Sequence, residues 1–192
     1  MMICRDRKLL FVHLQKTGGM SVRVLLRRVV GMTKFGPRHA SLRRARRRLG
    51  SAFADYYSFS FVRNPWDRLV SLYEYRRKKG RTRRRKGRLR GIPGEISFDE
   101  FAQRWRGPSQ AAALCDASGT LLVCEVYRFE RFAEECNRLL AHIGLPPAEI
   151  PHRNFTRHGH YSTYYDSALR GVVGEQYARD IAVFGYKFET NP

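Results

Sequence analysis

The sequence predicts an α/β fold with a central, mainly parallel sheet flanked by helices, and three observations predict it. An apolar run at residues 8–14 (KLLFVHL) breaks at a glycine pair and leads into a stretch with helical spacing. A second apolar run at 57–62 (YSFSFV) is followed by a helix-compatible segment in which Pro65 stands early, where its fixed φ is tolerated. The elements along the chain then alternate as strand, helix, helix, strand, helix, and later strand, helix, helix, the order that builds a sheet covered by helices.

Each element has its own reason. The run at 8–14 reads as a buried strand, and Gly18-Gly19 end it. Residues 21–30 carry apolar side chains at 22, 25, 26, 29 and 30, which fall on one helical face. Gly31, Gly36 and Pro37 mark a loop over 31–39, and Ser41 is placed to cap a basic helix that stops near Gly50. After the strand at 57–62, a helix is expected over 66–79. Residues 79–94 turn to Gly, Arg and Lys with Pro93, and are expected to form a basic, mobile loop. Ser97 and Glu100 have the spacing of a capping box. A third strand is expected at 121–127 (LLVCEVY). An amphipathic helix over 131–143 ends at Gly144 with Pro146-Pro147 behind it, and a last helix spans 167–183. The chain of 192 residues shows no internal repeat and suits a single domain over 1–192.

The charge is uneven. The chain has 37 Lys+Arg against 17 Asp+Glu, a net +20. Residues 76–90 hold 11 basic side chains in 15, and residues 43–48 hold 5 in 6, neither with an acid, so the rest of the chain is nearly ordinary. Such runs attract polyanions, and incidental binding of nucleic acid, anionic lipid or an acidic glycan follows from them. A hydrophobic content of 43% excludes wholesale disorder. No apolar run approaches the 18 or so residues of a membrane span, and the opening MMICRDRK lacks the apolar core of a signal peptide. A cytoplasmic protein is therefore expected, or one peripheral to the inner membrane face. Cys4, Cys115, Cys124 and Cys136 form no C-x-x-C pair, so neither zinc nor a disulfide framework is expected.

Two segments carry chemistry. In the first, Gln15-Lys16-Thr17-Gly18-Gly19-Met20-Ser21 joins a strand to a helix. A tight turn there presents unpaired backbone N–H groups at the positive end of a helix, and glycines let the backbone approach a phosphate. Lys16 adds a point charge, and Thr17 and Ser21 add hydroxyls. The segment is not the G-x-x-x-x-G-K-[ST] loop of nucleotide triphosphatases, because Lys16 precedes the glycines. A plain βα turn with a stray lysine would give the same letters. In the second segment, Arg63 follows the strand at 57–62 and Ser71 lies two turns into the next helix. Ligands of parallel sheets bind beyond the C-terminal strand ends, so Arg63 is expected to share a crevice with the Lys16 loop. A guanidinium fork and a hydroxyl suit a terminal phosphate. An Arg63–Asp67 pair with Ser71 on a helix surface is the plainer reading.

Taken together and in this order, QKTGGMS and FVRNPWDRLVSLY resemble the sulfotransferases that use 3′-phosphoadenosine 5′-phosphosulfate (PAPS), closest to the carbohydrate and heparan-sulfate branch and its short bacterial relatives. The similarity extends through Arg128-Phe129-Glu130-Arg131-Phe132, IGLP, Asn154 and Asp180…Phe184-Gly185-Tyr186, from about residue 8 to 188. The resemblance implies a three-layer domain like that of P-loop nucleotide triphosphatases. It implies PAPS as donor, adenosine 3′,5′-bisphosphate as product and no metal. By the same resemblance Lys16, Thr17, Gly18, Gly19, Met20 and Ser21 hold the 5′-phosphosulfate, and Arg63 and Ser71 hold the 3′-phosphate. Met20 stands where the family usually has Thr or Ser, and Gln15 where other branches have Pro.

In-line transfer of a sulfuryl group to an acceptor hydroxyl or amine needs charge stabilisation, expected from Lys16 and the amides of 17–21, and a base. Histidine suits that role near neutral pH. Of His13, His39, His142, His152, His158 and His160, related enzymes place the base in the segment of His39. His13 is read as structural and His142 as part of a core-bearing helix, with His158 or His160 as second choice. The basic runs suit an anionic or sugar-containing acceptor. Two other classes remain open. A nucleotide-binding, kinase-like enzyme would normally carry a lysine after the glycines, and a basic nucleic-acid-binding protein would need stacking aromatics beside the arginine runs, which 76–90 lacks.

Overall fold

The computed structural model describes residues 1–84, 96–150 and 159–190, with side chains to residue 78 in the first stretch. The chain forms two compact units. One comprises Met1–Arg63 and Pro108–Phe155, the other Asn64–Gly107 and Thr156–Pro192.

The first unit holds a five-stranded mixed sheet. Its strands are β1 (Met2–Cys4), β2 (Leu9–Val12), β3 (Thr33–Lys34), β4 (Tyr57–Val62) and β5 (Glu125–Arg128), in the spatial order β3-β1-β2-β4-β5. The functional half is parallel: β2 pairs with β4 in the register Phe11↔Phe59, and β4 with β5 in the register Phe61↔Tyr127. The half at β1 and β3 is antiparallel. The sequence reading expected the parallel core and missed β1 and β3, whose two or three residues are too short to show a period. The expected strand at 121–127 begins only at Glu125. Leu121 is drawn into a bridge with Cys115, around a turn in which Asp116 Oδ1 accepts from the Thr120 N–H at 3.0 Å.

Strand alternation divides the side chains between two faces. Leu9, Phe11, Tyr57, Phe59, Phe61 and Tyr127 share one face. Helices α1 (Gly19–Val30) and α6 (Phe132–His142) contribute Val22, Leu25, Leu26, Cys136, Leu139 and Leu140 to the same cluster. On the opposite face Leu10, Val12, Ser58, Ser60 and Val62 are also buried. Ser60 satisfies its hydroxyl by donating to the Val12 carbonyl at 2.8 Å, so a polar atom there leaves no unpaired donor. Burial on both faces is the usual state of parallel strands. Helix α2 (Leu42–Leu49) buries Leu42 and Ala45 and exposes Arg43, Arg44, Arg46, Arg47 and Arg48. Gly50 ends it, as its position in the sequence suggests. Short α5 (Gln110–Leu114) has no sequence signal beyond Ser109, whose hydroxyl accepts from the Ala112 N–H.

The second unit is helical. It contains α3 (Pro65–Arg84), α4 (Phe98–Arg104), α7 (Ser167–Gln176) and α8 (Ala178–Phe184), packed on Trp66, Leu69, Val70, Tyr73, Phe98, Phe101 and Val173. Pro65 opens α3, and Ser97 caps α4 with its Oγ accepting from the Glu100 N–H at 3.1 Å, but the capping box is only half made, because the Glu100 carboxylate pairs with Arg104 instead of returning to the Ser97 N–H. A buried Arg68–Asp180 pair at 3.8 Å ties α3 to α8. The single helix expected at 167–183 is two helices broken at Tyr177, and the helix expected to end at 79 continues to Arg84. Of the expected basic loop at 79–94, residues 85–94 lie outside the described residues.

Candidate active site

The site is built at the C-terminal ends of β2, β4 and β5, all within the first unit. After β2 the chain turns sharply. Lys16 adopts φ +67 and Gly18 φ +72, the left-handed region that a glycine enters freely and a lysine does not. Thr17 is fully buried, and its Oγ1 donates to the Leu14 carbonyl at 3.2 Å. The hydroxyl expected to donate to phosphate is thus used to close the turn. Gly18 caps α1, and the Ser21 N–H already bonds to its carbonyl at 2.9 Å. Among the described residues the N–H groups of Gly19 and Met20 make no hydrogen bond, which leaves two donors at the positive end of α1.

Aromatic rings close the loop in from two sides. A Cβ on Gly18 would come within 2.5 Å of Phe132 and 3.1 Å of Phe129, and a Cβ on Gly19 would penetrate the His13 ring. The glycine pair is required by this close approach as well as by the turn.

Arg63 is buried directly after β4. Its guanidinium donates through Nη1 to the Lys16 carbonyl at 3.3 Å and lies 4.2 Å from the centre of the Phe129 ring, which follows β5. The expected convergence of the Lys16 loop and Arg63 is therefore present. Two residues that sequence reasoning did not single out hold Arg63: Phe129 under the guanidinium, and Gln110, whose side-chain amide bonds to both main-chain groups of Arg63. Phe129 stood within a noted run, RFERF, with no role. Gln110 has no local signal, because its partner lies 47 residues away. Ser71 is buried on α3, in the second unit.

His39 is exposed, and its Nδ1 lies 3.1 Å from the carbonyl of His13, the residue after β2. A carbonyl only accepts, so Nδ1 carries the proton and the neutral ring presents its lone pair on Nε2. The two rings meet edge to face at 4.7 Å, and His13 in turn stacks on Phe11 at 5.8 Å. Partial burial, then the charges of Arg38, the Met1 amino group and Arg23, pull the His39 imidazole below its ordinary value, against the opposing effect of its bond to His13. Burial first, and His39 and Arg23 after it, lower His13 to about 2, so His13 is neutral at any physiological pH.

The other histidines stand elsewhere. His142 closes α6 and stacks on Tyr57 at 4.3 Å. His160, in the second unit, has its Nδ1 2.8 Å from Ser162 Oγ. His152 and His158 lie outside the described residues.

Among the described residues no group of three or more His, Cys, Asp or Glu is placed to hold a metal, and no helix is long and apolar enough to cross a membrane. The arrangement supplies free amide donors, a buried guanidinium and a neutral imidazole around one set of strand ends, a constellation suited to anion binding and proton removal.

No curated protein matches the chain. The family model described as "Sulfotransferase family" matches residues 1–187, nearly the whole length. The chain belongs to the sulfotransferase family.

Proposed function

We propose that the protein transfers a sulfuryl group from PAPS to a hydroxyl or amine of an acceptor, with a carbohydrate as the acceptor, on a domain akin to P-loop nucleotide triphosphatases. The observation that carries this reading is the hydrogen bond from Arg63 to the Lys16 carbonyl, which joins the two segments the family uses for the two phosphate-bearing ends of its donor.

The residues present fit such a donor. The glycine pair lets the loop lie directly against Phe129, Phe132 and His13, and the amides of Gly19 and Met20 offer hydrogen bonds to an anion. Lys16, Gly18, Gly19, Met20 and Ser21 would hold the 5′-phosphosulfate together with the main chain of Thr17, whose hydroxyl is committed to the Leu14 carbonyl, and the resemblance assigns the 3′-phosphate to Arg63 and Ser71. When bound, the donor supplies a sulfuryl group already activated as an anhydride with phosphate. The chain's own contribution is position and charge. Lys16 and the α1 amides stabilise negative charge on the departing phosphate oxygen. His39 Nε2 accepts the proton of the acceptor hydroxyl as the new S–O bond forms and the S–O bond to phosphate breaks. Adenosine 3′,5′-bisphosphate leaves, and no metal is required.

Calorimetry tests this with adenosine 3′,5′-bisphosphate against adenosine 5′-phosphate. A preference of at least about tenfold, or 1.4 kcal/mol, for the bisphosphate is expected. Equal affinity would remove the 3′-phosphate role of Arg63, and a preference for ATP with Mg²⁺ would favour a kinase.

A further inference from the structure

The His13 ring has no part in the chemistry described above. It follows β2 directly, is 3% exposed and stacks on Phe11 at 5.8 Å. A buried imidazole ordinarily bonds through at least one ring nitrogen. In His13 the Nδ1 atom is sealed from water without a partner, and among the described residues Nε2 makes no hydrogen bond. The bond that His13 does accept, from His39 Nδ1, falls on its main-chain carbonyl and leaves the ring untouched. A phenylalanine would fill the same stack without stranding two polar atoms, so packing alone does not account for the imidazole.

Gly19 shows where the ring is directed. A Cβ built there would penetrate the Cδ2–Nε2 edge of His13, so this edge lies against the first residue of α1. The amides of Gly19 and Met20 are the open donors of that same helix end. Burial keeps the ring neutral, and a neutral imidazole carries one N–H. An orphaned buried N–H is harder to accommodate than an orphaned lone pair. The proton therefore belongs on Nε2, beside Gly19, and the lone pair on the sealed Nδ1. A desolvated donor held in this way costs free energy until an acceptor meets it, and an anion at the head of α1 would do so.

We propose that His13 Nε2–H is a third hydrogen-bond donor, beside the Gly19 and Met20 amides, to the 5′-phosphate of the nucleotide that brings the sulfuryl group. The identity of that ligand rests on the sulfuryl-transfer reading; the donor itself rests on the placement of the ring. His13 is then a binding residue, and not only the structural one that its place in the sequence suggests.

The test is nuclear magnetic resonance of the isotope-labelled full chain, joined to calorimetry. In the free protein Nε2 is expected to carry the His13 proton. Adenosine 3′,5′-bisphosphate should move that Nε2–H downfield together with the amides of Gly19 and Met20. A proton on Nδ1 overturns the proposal, and so does a bisphosphate that moves the two amides and leaves Nε2–H in place. His13→Phe keeps the stack on Phe11 and removes the donor. It is expected to weaken bisphosphate binding by about ten- to hundredfold. It should leave adenosine 3′-phosphate, which lacks the 5′ group, within about twofold. Equal losses for the two ligands would make His13 structural only, and no loss for either would remove the contact. If the variant does not fold, the wild-type spectra decide alone. Inorganic phosphate separates this proposal from the reading it rests on. Should phosphate move Nε2–H in the wild-type protein while the bisphosphate binds no better than phosphate, the donor stands and the sulfuryl-transfer reading falls.

Discussion

The side-chain amide of Gln110 brackets the main chain of Arg63: its Oε1 accepts from the Arg63 N–H at 2.9 Å, and its Nε2 donates to the Arg63 carbonyl at 2.8 Å. Both residues are buried, so neither main-chain group can turn to water instead. Gln110→Ala is expected to lower stability by about 2–4 kcal/mol in denaturant unfolding, because two buried polar groups lose partners. It should also weaken bisphosphate binding, since the fork is no longer aimed. Gln110→Glu is expected to rescue little, because a carboxylate accepts from the N–H but has no donor for the carbonyl.

His39→Ala is expected to cut turnover by about 10²–10⁴-fold with bisphosphate affinity unchanged. The acidic limb of the wild-type kcat/KM profile should fall below the ordinary histidine value, because partial burial and then the arginines around His39 disfavour the charged ring. Steady-state kinetics across pH check both points. Turnover near that of wild type would remove His39 as the base.

His13 links acid to unfolding. Its folded value, about 2, lies below the ordinary 6.5 of an unfolded histidine, so the unfolded chain binds a proton that the folded chain refuses. The contribution is fully present above about pH 6.5 and is lost as pH falls from there toward 2, at up to about 1.4 kcal/mol per pH unit. Urea unfolding at pH 7, 6 and 5 should show this slope, and His13→Phe, which keeps a flat ring against Phe11, should reduce it by one proton. An unchanged slope in the variant would mean that His13 is accessible to protons in the folded state.

Gly19→Ala drives a methyl group into the His13 ring. A cost of about 1–3 kcal/mol is expected from overpacking, together with weaker bisphosphate binding as α1 is pushed from the loop. The double variant Gly19→Ala/His13→Ala should recover part of the loss relative to the sum of the two single changes, a coupling that a double-mutant cycle in thermal unfolding measures.

The parts of the site that were legible in the sequence are those with local patterns. The apolar run into Gly18-Gly19 disclosed a strand, a turn and a helix start because all three follow from neighbouring residues. The alternation YSFSFV placed Arg63 at a strand end. What was hidden depends on contacts across the chain. Gln110 lies between a serine and alanines and meets Arg63 only through the fold. Phe129 gains a role only once β5 lies beside β4. Tyr177 breaks the last helix by a backbone turn that its own neighbours do not foretell. The buried Thr17 hydroxyl looked free because a sequence does not show which way a turn folds.

The serine–aromatic alternation of β4 has a consequence beyond packing. Tyr57, Phe59 and Phe61 face the cluster that holds α1 and α6, and Arg63 continues that series past the strand end. The pleat therefore acts as a pointing device. One residue inserted or deleted between Phe59 and Arg63 would swing the guanidinium to the wrong surface and bring small hydroxyls where rings belong. Changes in length within this strand are thus barred twice over, by the oil of the interior and by the aim of a single cation.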